Sequence, residues 1–91
     1  MKKFERLLKG FANHRRLAIL RFLYKTKEAN VSQIAGIIGL SFKATSKHLN
    51  ILANLDIVER QQRSLEMFYR LARKFPPMAK QIIIFISNSR E

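Results

Sequence analysis

Two stretches of helical character in the middle of the chain are separated by almost no turn, and this restricts the fold most. Asn30 stands where a helix N-cap belongs, and Gln33 three residues on completes an N-x-x-Q capping box. Ile34, Ala35 and Ile38 supply the buried stripe of that helix. Gly39 follows the last apolar position, where glycine closes a helix, and Ser41 can cap the next one. Only Gly39-Leu40 and the caps lie between the two. Two short helices joined by a tight glycine-containing turn predict a helix-turn-helix over about residues 30–55.

The second helix of the pair divides its labour around its axis. Thr45, Leu49 and Leu52 share one face at i, i+4, i+7, with Phe42 flanking it. Lys43, Lys47, Asn50 and Asn54 run down another face at i, i+4, i+7, i+11. Most such polar stripes are solvated surface. This one lies on the second helix of the pair, where a recognition helix presents its side chains to a duplex.

The flanks extend the pattern. Phe4, Leu7, Leu8 and Phe11 mark one stripe of a first helix, which Gly10 is expected to weaken or end. Asn13 caps a second helix with Leu17, Leu20, Leu23 and Tyr24 inward, broadened by Ile19 and Phe22. From Ile57 to Leu71 the period falls to two, which predicts a hairpin turning near Arg63-Ser64-Leu65. The tip has no Gly, Asn or Asp, which argues against a tight type I′ turn and for a longer loop. Pro76-Pro77 breaks the chain, and a last helix is expected over about 77–89. Met78, Ile82 and Phe85 lie along one side of it, adjoined by Ala79, Ile83 and Ile86. The run Ile82–Ile86 is apolar almost all round, more than a terminal helix buries alone. An interface with the first helix of a second copy would use Phe4, Leu7, Leu8, Met78, Ile82, Phe85 and Ile86. The same run is β-prone, so a strand is the alternative.

Composition narrows the function. The 91 residues carry 18 Lys+Arg against 6 Asp+Glu, a net charge of +12 that attracts polyanions. One domain spanning 1–91 is expected at this length, without room for a large enclosed active site. Cysteine is absent, which removes disulfides, thiolate metal sites and a Cys nucleophile. No paired carboxylates share a helix face, and no nucleophile context surrounds Ser41 or Ser46, so an enzyme is the least supported class. The basic start, Met1-Lys2-Lys3, lacks the apolar region of a signal peptide, which makes the cytoplasm the default expectation.

Four motifs then bear a resemblance. Arg16 to Leu20, Val31-Ser32-Gln33-Ile34-Ala35 with Ile38-Gly39-Leu40-Ser41, Ser46-Lys47-His48-Leu49 with Leu52, and Phe68-Tyr69-Arg70-Leu71 stand in order. They resemble the R-L-x-I-L, V-S-E-L-A…L-G-L-S, S-x-H-L-x-x-L and Y-Y-R-L motifs of ArsR-type transcriptional regulators, over about residues 11–72. The resemblance implies a mainly α (α+β) winged helix-turn-helix, with a two-stranded wing at about 57–71 and terminal helices forming a dimer interface. It implies a homodimeric, operator-binding regulator, usually a repressor; two recognition helices about one duplex turn apart then predict an imperfectly palindromic double-stranded DNA site, and an apolar run no longer than Ile82–Ile86 predicts no membrane role.

By motif position the resemblance assigns DNA contacts to Ser41, Phe42, Lys43, Ser46 and Lys47, and to Gln62 and Arg63 on the wing. Lys43 and Lys47 are open to base or phosphate contact. The departures are as informative. The chain has Ala29-Asn30-Val31-Ser32 where metal-sensing members carry C-V-C, and Ser87-Asn88-Ser89-Arg90-Glu91 where others carry Asp, His and Glu. With only His14 and His48 as nitrogen ligands, no metal site and no cofactor are expected. Phe42 replaces a frequent Gln, Asp56 replaces the Gly after the recognition helix, and the wing lacks its usual Gly. A winged-helix module that docks a protein, and a non-specific nucleic-acid binder, are the alternative readings.

Overall fold

The computed structural model describes residues 1–75 and 77–89. Pro76, Arg90 and Glu91, which entered the sequence reading, lie outside the described residues. The elements run α1 (Lys2–Phe11), α2 (His14–Thr26), β1 (Glu28–Asn30), α3 (Val31–Ile38), α4 (Phe42–Asn54), β2 (Val58–Arg63), β3 (Glu66–Leu71) and α5 (Pro77–Ser87).

Helix α2 is the central element. The Asn13 side chain accepts from the backbone N–H groups of Arg15 and Arg16, which starts the helix. Ile19, Leu20 and Leu23 are fully buried against Ile34 of α3, Leu49 and Leu52 of α4, Ile57, Tyr69 of β3 and Ile83 of α5. Tyr24, expected inward, is 38% exposed, whereas Ile19, expected only to broaden the stripe, is fully buried.

The helix-turn-helix forms as its caps dictate. The Gln33 N–H donates to Asn30 Oδ1 at 2.8 Å, and the Asn30 N–H donates to Gln33 Oε1 at 2.9 Å. Gly39 takes φ +68°, and the Leu40 N–H reaches back to the Ala35 carbonyl at 3.1 Å. A side chain is strained in that left-handed conformation, which is the physical need for glycine here. Ser41 Oγ accepts from the Ala44 N–H at 3.1 Å and opens α4, whose Thr45, Leu49 and Leu52 are buried.

Three strands, not two, make the sheet, in antiparallel order β1-β3-β2. The hairpin is the expected one, with Val58 opposite Leu71 and Arg63 opposite Glu66. That register leaves a loop of Ser64 and Leu65, so the expected longer loop gives way to a tight one. Ser64 takes φ +57° and Leu65 does not adopt positive φ, so the turn is not type I′, which needs it at both positions. The paired strands offset the modest cost of a left-handed serine. Strand β1 pairs Glu28 with Arg70 and Asn30 with Phe68. Glu-Ala-Asn has no β-propensity of its own; an unpaired edge of β3 recruits it.

Two further expectations change. Gly10 does not end α1, which continues through Phe11. A Cβ at Gly10 would meet Leu55 Cδ1 at 2.2 Å, so glycine there leaves room for the end of the Leu55 side chain. The terminal segment is helical rather than a strand, but its inward face is Ala79 and Ile83, both buried. Burial of Ile83 contributes on the order of 2–3 kcal/mol. Met78, Ile82 and Ile86 are partly buried beside it, and Phe85 is left 76% exposed.

Candidate nucleic-acid interface

The outward half of α4 gathers the residues assigned to DNA. Ser41, Phe42, Lys43 and Lys47 are exposed, and Ser46 is half-buried. Phe42 keeps 60% of its surface open, so it does not pack inward. The Ser41 oxygen is occupied as a cap, and its hydroxyl hydrogen remains a donor for a phosphate.

The wing joins this surface through a residue the sequence reading passed over. Arg60 of β2 donates to Asn50 Oδ1 of α4 at 3.0 Å and so ties the wing to the recognition helix. Gln62 projects from the same side of the strand as Arg60 by the alternation of side chains. Its amide lies 3.5 Å from the Ser64 carbonyl. The two-residue alternation of Arg60 and Gln62 was the signal that could have placed Arg60 in the site.

Arg63 is on the opposite face. Its guanidinium meets both carboxylate oxygens of Glu28, at 2.6 and 2.8 Å, and lies 4.7 Å from the centre of the Phe68 ring. In the free protein it lies along the sheet and is not extended beyond the wing. Sequence spacing could not reveal this, because Glu28 is carried there by the unforeseen strand β1.

Two adjacent arginines position α4. Consecutive helical residues point about 100° apart. Arg15 therefore reaches the Ile38 carbonyl, the last of α3, while Arg16 turns to the end of α1. Arg16 Nε donates to the Gly10 carbonyl at 2.7 Å, and its Nη2 donates to the Lys9 carbonyl at 3.2 Å. Helix C-terminal carbonyls carry partial negative charge and favour such cations. Arg16 Nη1 also lies 3.2 Å from His48 Nδ1 on α4. An arginine can only donate, so Nδ1 accepts and the imidazole is neutral with its proton on Nε2. Burial, then the neighbouring charges of Arg16, Arg15 and His14, hold the His48 pKa below the usual histidine value. His48 thus fastens α4 to the body of the fold.

The residues expected at a second-copy interface fall into two groups. Phe4, Leu8 and Phe85 are substantially exposed. Met78, Ile82 and Ile86 are partly covered by the protomer itself. Leu7 is a correction: it is buried in the protomer core because α1 packs onto α2 by Leu7 and Phe11. Among the described residues no group of three His, Asp or Glu side chains is placed to hold a metal ion, and no helix is long and apolar enough to cross a membrane.

The family profile described as "Bacterial regulatory protein, arsR family" matches residues 13–60. The chain is 37% identical over 65 residues to the transcriptional repressor PagR of Bacillus anthracis, which is 71% of this chain and 65% of that protein. The match therefore spans slightly under two thirds of that relative's length. The PagR crystal structure superposes with a TM-score of 0.76 at 32% identity, covering 93% of each chain. HlyU from Vibrio cholerae gives 0.80 at 32% identity, over 93% of this chain and 88% of that one. A homodimeric winged helix-turn-helix DNA-binding domain from Mycobacterium bovis, studied in solution by NMR, gives 0.79 at 27% identity, over 93% and 75%.

Proposed function

The chain belongs to the ArsR family of bacterial regulatory proteins, and we propose that it is a DNA-binding transcriptional regulator acting as a homodimeric repressor. One observation carries the reading: the exposed side of α4 bears Phe42, Lys43, Lys47 and Asn50, and Arg60 joins the wing to it at Asn50. A helix seated in a major groove needs an outward polar and basic stripe, a buried stripe behind it, and a flanking element for the adjacent backbone. The net charge of +12 supplies the long-range attraction.

In this mechanism Lys43 and Lys47 meet base edges or phosphates, and Phe42 offers its ring to a thymine methyl group. Ser41 donates its hydroxyl to a phosphate, and the half-buried Ser46 stands behind Lys43 and Lys47 on the same helix. Gln62 and Arg60 follow the backbone beside the groove. Two protomers joined through Phe85, Phe4 and Leu8 present two recognition helices about 34 Å apart, so the operator is an imperfect palindrome. The cytoplasm is where such an operator is met. No residue performs catalysis, and the regulator works without a metal or cofactor.

The test is selection of random-sequence duplexes at about 150 mM salt, where surface attraction beyond roughly 8 Å is screened. An enriched two-fold-symmetric site is expected. With about eight phosphates neutralised per dimer, log K falls against log salt with a slope of about −7. Retention of DNA at low salt without any enriched sequence would overturn the sequence-specific reading.

A further inference from the structure

Only six carboxylates accompany the 18 basic residues of this chain, and one of them is spent on the wing-tip arginine. Arg63 ends β2 and Glu28 begins β1, so β3 runs between them. Both guanidinium Nη atoms engage both Glu28 oxygens, and the cation rests on the Phe68 ring. Nη2 also donates to Gln61 Oε1 at 3.1 Å. We propose that Glu28 holds Arg63 against the sheet in the free protein and yields it to a DNA phosphate on binding, so that this carboxylate sets how firmly the wing grips a duplex.

The argument rests on the DNA-binding reading and on three features of the pair. A carboxylate and a phosphate offer an arginine fork the same two-oxygen edge, so once the unbranched Arg63 side chain swings off the sheet a phosphate can take the carboxylate's place. The pair is accessible: the two side chains keep 42% and 39% of their surface open, and an exposed ion pair is weakly held. Glu28 is also bound less broadly than its neighbour on the sheet. Glu59 pairs with Arg70 at 3.2 Å and accepts the Arg73 backbone N–H at 2.9 Å, which fixes the chain leaving β3. Glu28 takes its hydrogen bonds from Arg63 alone among the described residues. The Arg63 hydrogen bonds keep the Glu28 carboxyl below the usual carboxylate range, so near neutral pH it leaves by exchange and not by protonation.

The experiment is a titration of a mixed-sequence 30-base-pair duplex between about 50 and 200 mM salt, a range over which phosphate contacts change affinity steeply. It compares the parent, Glu28→Gln, Arg63→Gln and the double variant. Glu28→Gln is expected to tighten binding about three- to tenfold, the release of two exposed pairs per dimer. It should leave the salt slope within about 1 of the parent's, because the bound guanidinium neutralises a phosphate in both, whereas Arg63→Gln should flatten it by about 2 per dimer. In the Arg63→Gln background the same substitution should give only the small gain of removing a negative charge. Equal gains in both backgrounds overturn the proposal, since they would be general electrostatics. Glu28→Ala repeats the comparison, with melting curves reporting that the wing is folded. In the parent, the Arg63 Nε–Hε resonance should move when duplex is added; an unmoved resonance overturns the proposal without any variant. Binding without coupling between the two sites defeats this inference alone. Absence of binding at about 50 mM salt defeats it together with the DNA-binding reading.

Discussion

Arg16→Met tests whether one guanidinium joins three helices. The substitution keeps an unbranched stem and removes the hydrogen bonds to the Gly10 and Lys9 carbonyls and to His48 Nδ1. A well-formed hydrogen bond from a charged donor is worth about 1.5–3 kcal/mol, and the 2.7 Å contact to Gly10 fits that class. The two 3.2 Å contacts are longer and the one to Lys9 is exposed, so together they add about 1 kcal/mol. Against this, a cation in the first turn of α2 opposes that helix's own dipole, and its loss returns about 0.5 kcal/mol. The balance is a destabilisation of about 2–3.5 kcal/mol, or a fall in melting temperature of roughly 8–28 °C for a domain of this size. Melting by circular dichroism at fixed protomer concentration measures it, because dimerisation makes the midpoint concentration-dependent.

The same variant carries a second readout at His48. Its pKa, followed by NMR, should rise toward the ordinary value near 6.5 and stay below it, since the burial that dominates the shift remains. The parent's folded state keeps His48 neutral while the unfolded chain takes up a proton below 6.5. Stability from this group is therefore complete above 6.5 and is lost as pH falls from there toward the depressed folded value. The variant should lose less over that window. A melting point within about 3 °C of the parent, with an unmoved His48 pKa, refutes the joint described here.

Other substitutions probe separate parts of the fold. Thr45 is fully buried and its hydroxyl has no hydrogen-bond partner among the described residues, so Thr45→Val should stabilise by about 1 kcal/mol in urea titration, with Thr45→Ser destabilising. Lys27 adopts φ +77° in the turn from α2 to β1, and Lys27→Gly should raise the melting temperature by several degrees as about 1 kcal/mol of strain is released. Phe85 is exposed on α5, so Phe85→Asp should leave the protomer folded and convert a dimer to monomer in analytical ultracentrifugation. An unchanged dimer constant would remove α5 from the interface.

Much of this architecture was legible because it is encoded locally. The capping box at Asn30 and Gln33, the glycine closing α3 and the serine opening α4 depend on residues within a few positions of one another. What escaped depends on contacts across the chain. Strand β1 exists because β3 has an edge to fill, and Arg63 is held because β1 brings Glu28 near it. The tight wing loop forms on a residue pair without turn preference because strand register dictates its length. Gly10 looked like a helix stop; its use lies in Leu55, 45 positions away, which needs the space a side chain would take. Asp56 was conspicuous only as a replacement for glycine. Its φ of +60° shows the conformation that position demands, one that aspartate tolerates better than most residues.

Five arginines and the two lysines of the recognition helix stand in different surroundings, and this separates two consequences of one composition. Arg15, Arg16, Arg60, Arg63 and Arg70 each donate hydrogen bonds within the protomer, whereas Lys43 and Lys47 stand exposed on α4. A planar fork suits carbonyl and carboxylate partners, and a flexible ammonium suits diffuse attraction to phosphate. Replacing Lys43 and Lys47 together by Ala should then leave the melting temperature within a few degrees, as surface substitutions do. The salt slope of duplex binding should flatten by about 3–4 across a dimer, at roughly 0.9 per lost phosphate contact. A smaller flattening, with altered preference among selected sequences, would assign one of the lysines to a base edge. Replacing Arg15 and Arg16 together by Met should do the reverse, lowering stability while the slope of the remaining folded protein is kept. If the lysine pair lowered stability and spared the slope, α4 would not be the face that meets the duplex.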